Sequence, residues 1–223
     1  MAAEKSKIDW QDLGRVPYAE AFALQERLRD LRLAGDIGDR LMLLEHDPVI
    51  TMGRRDCESD LVSTPAALKS AGIELVKTNR GGRATYHGPG QLVGYFICEL
   101  AGLGLGVRDF VRAVEEILIR ALRRFDVVAS RDDSYPGLWI GCEKIAAIGL
   151  NIQRGVTEHG FALNVGCDLE AYSHLVACGI SDRGVTGISR QRGSKAQMSD
   201  VILAVVEEAG RVLGRDMLEL GPT

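Results

Sequence analysis

The chain has 223 residues, 46% apolar and 26% charged, with a formal net charge of −4. That balance suits a globular protein with a sizeable core and excludes disordered, collagen-like and mini-protein classes; the slight acidity speaks against a strongly basic nucleic-acid binder. No apolar run approaches the ~20 residues that span a bilayer, and the start Met1–Lys7 lacks the apolar stretch of a signal peptide, so a single cytoplasmic domain over 1–223 with no membrane association is expected.

In chain order, Tyr18, Ala21, Leu24, Leu28 and Leu31 recur at helical spacing and predict an amphipathic helix over roughly 18–33, ending near Gly35. Arg40–His46 and Val49–Met52, broken by Asp47-Pro48, read as two strands or one bent strand. Thr64-Pro65 is an N-cap with proline at the first helical position, opening a short helix to about Ser70. Strands follow at 73–77 and 92–100, the second apolar on both faces and therefore interior. The stripe Phe110, Val114, Ile117, Leu118, Ala121, Leu122 predicts a helix over 107–125. Short strands at about 127–131, 138–141, 144–152 and 158–165 precede a last helix from a Ser199 cap to about Leu213. Helices mixed with early strands, then consecutive strands, indicate an α+β fold with a mixed, largely antiparallel sheet and flanking helices.

The 26 glycines exceed the usual ~7% share and gather around 79–94 and 137–193. The densest cluster is Arg80-Gly81-Gly82-Arg83-Ala84-Thr85-Tyr86-His87-Gly88-Pro89-Gly90-Gln91, read as a glycine-rich loop between two strands. Its backbone can approach a ligand closely, and its arginines and histidine add positive or hydrogen-bonding character suited to a phosphate or a carbonyl. It is neither a P-loop nor a Rossmann turn. In a strand, Lys144 shares a face with Ala146, Ile148, Leu150 and Ile152 and sits at the end of an apolar surface, where desolvation favours proton transfer; a surface lysine with its head in water is the plain alternative. His159 alternates with Phe161, Leu163 and Val165, the pattern more often of a satisfied core histidine than of a catalyst.

The five cysteines, Cys57, Cys98, Cys142, Cys167 and Cys178, are odd in number, dispersed and never in a C-x-x-C pair, which fits neither a disulfide framework nor a thiolate zinc site. Cys178 is followed by glycine at a strand end with polar loop around it, an exposed setting for a nucleophilic thiol; Cys57, in a charged loop, is also exposed on this reading. Lys144 is the candidate partner that favours the thiolate.

Together the segments 80–91, 136–149 (P-G-L-W-I-G-C-E-K-I-A-A-I-G), 159–165 (H-G-F-A-L-N-V) and 177–180 (A-C-G-I) resemble the lipoyl(octanoyl) transferase family, in order and over nearly the whole chain. The resemblance implies the catalytic-domain fold of biotin and lipoate protein ligases. It also implies transfer of an octanoyl group from octanoyl-acyl carrier protein to a lysine of the lipoyl domains of 2-oxoacid dehydrogenases and of the glycine cleavage H protein. By the same resemblance Cys178 carries the acyl group as a thioester and Lys144 depresses its pKa and acts in acid/base steps. Arg80, Gly81, Gly82, Arg83, Ala84, Thr85, Tyr86 and His87 line the acyl site together with Ala147, Ile148, Gly149, Gly160, Phe161 and Ala162. No cofactor and no metal are implied. Carrier proteins and lipoyl domains tend to be acidic, which assigns Arg54, Arg55, Arg80 and Arg83 to docking. The rival readings are an ATP-dependent lipoate or biotin ligase on the same fold and a non-catalytic module that binds acylated carriers.

Overall fold

A computed structural model describes residues 6–55, 60–176 and 183–221. Its strands are β1 (Lys7–Arg15), β2 (Asp39–Glu45), β3 (Val49–Met52), β4 (Glu74–Lys77), β5 (Thr85–His87), β6 (Gln91–Ile97), β7 (Ser130–Arg131), β8 (Leu138–Ile140), β9 (Glu143–Gln153), β10 (Val156–Asn164), β11 (Gly184–Val185) and β12 (Asp216–Glu219). The helices are α1 (Tyr18–Ala34), α2 (Pro65–Ser70), α3 (Leu100–Leu103), α4 (Val107–Arg123), α5 (Ile188–Arg192) and α6 (Met198–Leu213). Among the described residues the large sheet runs β12-β1-β2-β6-β10-β9-β8-β7, with β11 added to β9, and a small sheet runs β4-β3-β5. Only β12/β1, β1/β2 and β11/β9 pair in parallel within the large sheet, so it is mixed and largely antiparallel, the α+β architecture expected.

Strand alternation divides the core. Leu41 and Leu43 of β2, Leu92 and Phe96 of β6, and Phe161 and Leu163 of β10 face α4 and α6, whereas Met42, Leu44, Val93, Tyr95 and Ala162 face α1. Asp47-Pro48 separates β2 from β3 so completely that the two strands enter different sheets. The small sheet builds its own cluster from Ile50, Met52, Ala84 and Tyr86 under Leu68, Ala171 and Leu175.

Several expected elements are corrected. β1 and β12 pair with each other at the sheet edge; β12 is nearly all exposed and so carries no burial periodicity, and β1 buries only Ile8 and Trp10. The glycine segment is not loop throughout, because Thr85–His87 pairs with β3. The strand expected over 127–131 is only Ser130–Arg131, and that over 92–100 ends at Ile97. The last helix is capped by Gln197, not Ser199, and begins at Met198, which packs on the main core.

The buried face of α1 is Tyr18, Ala21, Gln25 and Arg29, one step round from the predicted leucine stripe. Arg29 donates to Glu158 at 2.8 Å, a carboxylate with no solvent exposure that also accepts from Asn151 Nδ2 at 2.8 Å; Gln25 Oε1 accepts the His159 N–H at 2.8 Å. Removing one partner of such a pair strands the other charge. Glu158→Ala is therefore expected to lower the unfolding free energy by about 3–5 kcal/mol, against less than ~1 kcal/mol for Asp47→Ala at the exposed Arg15–Asp47 pair. Urea midpoints at unchanged m-value read both.

Candidate active site

The glycine segment between β4 and β5 lies on the middle of β9. The Gly81 N–H donates to Leu150 O at 2.8 Å, and a Cβ on Gly149 would stand 2.9 Å from Gly81 O, so two backbones meet where neither side has a side chain to hold them apart. Arg80 locks the segment to β3: its guanidinium is buried and donates to Thr51 Oγ1 at 2.8 Å, to Thr51 O at 2.5 Å and to Gly81 O at 3.0 Å. The docking role expected for Arg80 is corrected accordingly, since a cation consumed by internal carbonyls presents nothing to a partner protein. Arg83 reaches the surface and pairs with Asp60.

Two hollows meet on this junction. A narrow cavity of about 50 Å³ is lined by Arg80, Gly81, Gly82, Arg83, Thr85 and His87 from the glycine segment, by Ala147, Ile148 and Gly149 from β9, and by Gly160, Phe161 and Ala162 from β10; Tyr18, Tyr95 and His159 complete its wall. A wide cleft of about 880 Å³ shares Gly81, Gly82, Arg83, Ile148 and Gly149 with it and extends past Lys144, Arg54 and Arg55 to Val107 and Val111 of α4. Three sequence segments, far apart in the chain, thus converge on one wall. Ala84 and Tyr86 do not reach it: alternation along β5 turns Thr85 and His87 to the cavity and sends Tyr86 with Ala84 into the core of the small sheet. Cys178 lies in 177–182, outside the described residues, as does Cys57.

Behind the cavity the polar groups form a neutral network. His46 Nδ1–H donates to Val16 O at 2.8 Å, which leaves Nε2 to accept from the Tyr95 hydroxyl at 2.7 Å. His87 Nδ1–H donates to Gln91 Oε1 at 2.7 Å, so its Nε2 accepts from Thr51 Oγ1 at 3.3 Å while Thr51 accepts from Arg80. His159 Nε2–H donates to Asn79 Oδ1 at 2.7 Å. Its φ of +59° breaks the expected alternation with Phe161 and Leu163 and swings the ring to the α1 side, 5.8 Å from Phe22 and 5.9 Å from Tyr95. Burial pushes His46 down to about 4, and burial with Arg80 and Arg54 nearby pushes His159 down to about 3. Burial, His46 and Arg80 hold His87 well below its usual value. Tyr18, pushed up to about 12 by burial, keeps its phenol protonated beside them. Tyr18, Tyr95 and His46 were invisible as site residues in sequence, because each reads as an ordinary position on a helix or strand.

Lys144 is not the surface lysine of the plain alternative: it is buried, donates to Pro136 O at 3.3 Å and sits 4.7 Å above the Trp139 ring. Arg183 stacks on Tyr135 and Trp139 at 4.8 Å each and pairs with Asp132 at 2.6 Å. The chain beyond Arg183 runs directly beside the lysine, Val185 in register with Lys144 and the Thr186 N–H donating to Lys144 O at 2.9 Å. Among the described thiols, burial holds Cys98 and Cys167 protonated, Cys167 pushed up to about 12, while Cys142 is exposed. No cluster able to hold a metal occurs among the described residues, and no helix there is long and apolar enough to cross a membrane.

The depressed histidines set an acid limit on the fold. An unfolded histidine takes up a proton near pH 6.5, whereas native His46 and His159 resist until about 4 and about 3. The unfolded state binds more protons throughout that interval, so stability is unaffected above pH 7, falls as pH drops below 6.5 and goes on falling to about 4 through His46 and to about 3 through His159. Urea unfolding at pH 7.5, 6 and 5 reads the decline, and His46→Gln is expected to flatten it.

Comparison with known proteins follows the same lines. Residues 17–210 match the lipoyl protein ligase A/B catalytic domain. The octanoyltransferase of Caldicellulosiruptor bescii is 45% identical over 211 residues, covering 94% of this chain and 92% of its own, and that of Alkaliphilus metalliredigens is 44% identical over 209, covering 93% and 96%. A bipartite lipoate protein ligase from Thermoplasma acidophilum superposes with a TM-score of 0.77 at 17% identity, over 98% of this chain and 88% of that one. A biotin protein ligase from Aquifex aeolicus does so at 0.56 and 14%, over 93% and 70%. The structures establish the ligase-type fold, and the sequences go further: the chain belongs to the lipoyl protein ligase A/B catalytic-domain family and groups with its octanoyltransferases.

Proposed function

We propose that this octanoyltransferase, with 1–223 acting as one catalytic domain, takes its octanoyl group from a carrier-protein thioester onto Cys178. It then passes the group to a lysine of a lipoyl domain in the 2-oxoacid dehydrogenases or the glycine cleavage H protein. The observation that carries this reading is the junction of the two hollows. A narrow pocket walled by Gly81, Ile148, Gly149 and Phe161 suits an aliphatic chain, and the cleft beside it holds a buried lysine. Cys178 stands seven positions before Val185, the register partner of Lys144, which supports a thiol working with that amine.

In the first step the Cys178 thiolate adds to the thioester carbonyl, the tetrahedral oxyanion collapses, and the carrier's thiolate departs and takes a proton from Lys144. In the second the acceptor amine adds to the acyl-cysteine, gives up a proton to the now neutral Lys144 and expels the Cys178 thiolate, giving an amide and restoring the starting protonation. The exchange of one thioester for another is nearly balanced, and aminolysis of a thioester runs downhill, so ATP is not consumed. The peptide N–H groups of the glycine segment and near Gly179 are the candidate donors to the oxyanion. Each methylene of the chain contributes about 0.8 kcal/mol on burial before ordering costs. The reaction is assigned to the cytoplasm, where thiols are kept reduced.

Mixing the protein with octanoyl-acyl carrier protein in the absence of ATP is expected to add one octanoyl mass to the peptide containing Cys178, and Cys178→Ala to remove the adduct and turnover together. An active preparation with unmodified Cys178, or turnover that requires ATP, would return the ligase reading. Lys144→Met, which keeps most of the buried volume, is expected to slow acylation by about 10²–10⁴-fold. Gly149→Ala forces the glycine segment off β9 and is expected to lower kcat/KM by at least about tenfold through the misplaced junction.

A further inference from the structure

The wide cleft has a polarity that the acyl pocket does not explain. Its described lining carries Arg54, Arg55, Arg83 and Lys144 and no carboxylate, facing the exposed Val107 and the half-buried Val111 of α4. Arg54 and Arg55 differ from the other two cations. Both are exposed, and among the described residues neither guanidinium has an ion-pair partner. Their backbone, by contrast, is held firmly: the Arg54 N–H donates to Arg80 O at 3.0 Å and the Arg55 N–H to Gly82 O at 3.1 Å. This seating depends on Gly53, where a Cβ would stand 2.4 Å from Gly82 O. Two cations with no ion-pair partner among the described residues are therefore fixed on the same glycine segment that walls the acyl pocket, in a cleft whose other flank is apolar.

We propose that this cleft receives a pantetheine arm whose terminal phosphodiester binds Arg54 and Arg55, an inference that rests on the octanoyl-transfer reading of the same site. The arm's chemistry matches the cleft in order. Its thioester end must lie where the cleft opens into the narrow cavity, at Gly81, Gly82 and Ile148; its methyl-bearing middle meets Val107 and Val111; its anionic end requires a cation that no protein carboxylate already occupies. A cleft of about 880 Å³ is within the range of small-molecule sites and far larger than an eight-carbon chain alone would use. The same phosphopantetheine is carried by acyl carrier proteins and by coenzyme A.

Binding is measured in a Cys178→Ala background, so that no transfer intervenes, with octanoyl-pantetheine, octanoyl-4′-phosphopantetheine and octanoyl-coenzyme A as probes. With the arginines present, the phosphorylated arm is expected to bind at least about tenfold more tightly than the unphosphorylated one, a factor worth ~1.4 kcal/mol. In Arg54→Gln/Arg55→Gln the ratio is expected to fall to about one, and both substitutions are on the surface, so an unchanged melting temperature accompanies the loss. Coenzyme A thioester binding as well as the phosphorylated arm extends the site to free coenzyme; weaker binding restricts it to a carrier's arm, and either result supports the assignment. A ratio of one with the arginines present, a ratio that survives their removal, or displacement of the arm by equimolar ATP overturns it. Failure of octanoyl transfer in the protein with Cys178 intact, while the binding ratio holds, removes the functional reading and leaves the cleft assigned.

Discussion

The site exists because two sheets touch backbone to backbone. The hydrogen bond from the Gly81 N–H to Leu150 O is made where Gly81 of the small sheet's glycine segment meets Gly149 of β9 and neither has a side chain to intervene. A side chain at Gly149 would force the segment away from β9, and Gly81 and Gly149 belong to the wall that the cavity and the cleft share, so both hollows would change shape together. The functional geometry is thus a consequence of missing Cβ atoms more than of any particular polar contact.

Holding that junction has an energetic cost that the molecule meets with hydrogen bonds. Arg80 must be buried to tie the segment to β3, and a buried guanidinium is tolerable only when its donors are used, as they are by Thr51 and Gly81. Burial above all, with the Arg80 charge adding to it, disfavours protonation of His87 and His159, so the nearby histidines stay neutral and serve as paired donor and acceptor rings. On the same α1-facing side of the sheet the device recurs in Arg29, Glu158 and Asn151, which fix α1 to β10. These contacts specify position; an apolar core would supply stability as well without fixing which ring faces the cavity.

Much of this was legible in the sequence, for reasons that differ by element. The stripe on α4 is read directly from its apolar period, and the glycine density around 79–94 marks the junction because close backbone approach has a compositional signature. The β12/β1 edge was not legible, since an exposed four-residue strand buries nothing that would show a period. The face of α1 was misplaced by one position because its buried residues are Gln25 and Arg29, chosen for partners on β10 that no local pattern reveals. For His159 the alternation points to the wrong side of the strand, because a left-handed φ at a non-glycine residue is invisible to a two-residue period.

On the proposed transfer, the division into a narrow cavity and a wide cleft lets one protein handle two macromolecules in succession. An aliphatic chain is held by area, which is indifferent to what it is attached to, whereas a phosphate-ended arm is held by charge and is released once its thioester bond to the cargo is broken and it no longer has an anchor in the pocket. Because Lys144 belongs to the cleft and the glycine wall to both hollows, cargo held in the cavity would stay seated, on this proposal, while the cleft exchanges donor for acceptor. The apolar flank at Val107 and Val111 would then face the aliphatic stem of an acceptor lysine, so that the proposed exchange needs two kinds of binding force and no change of fold.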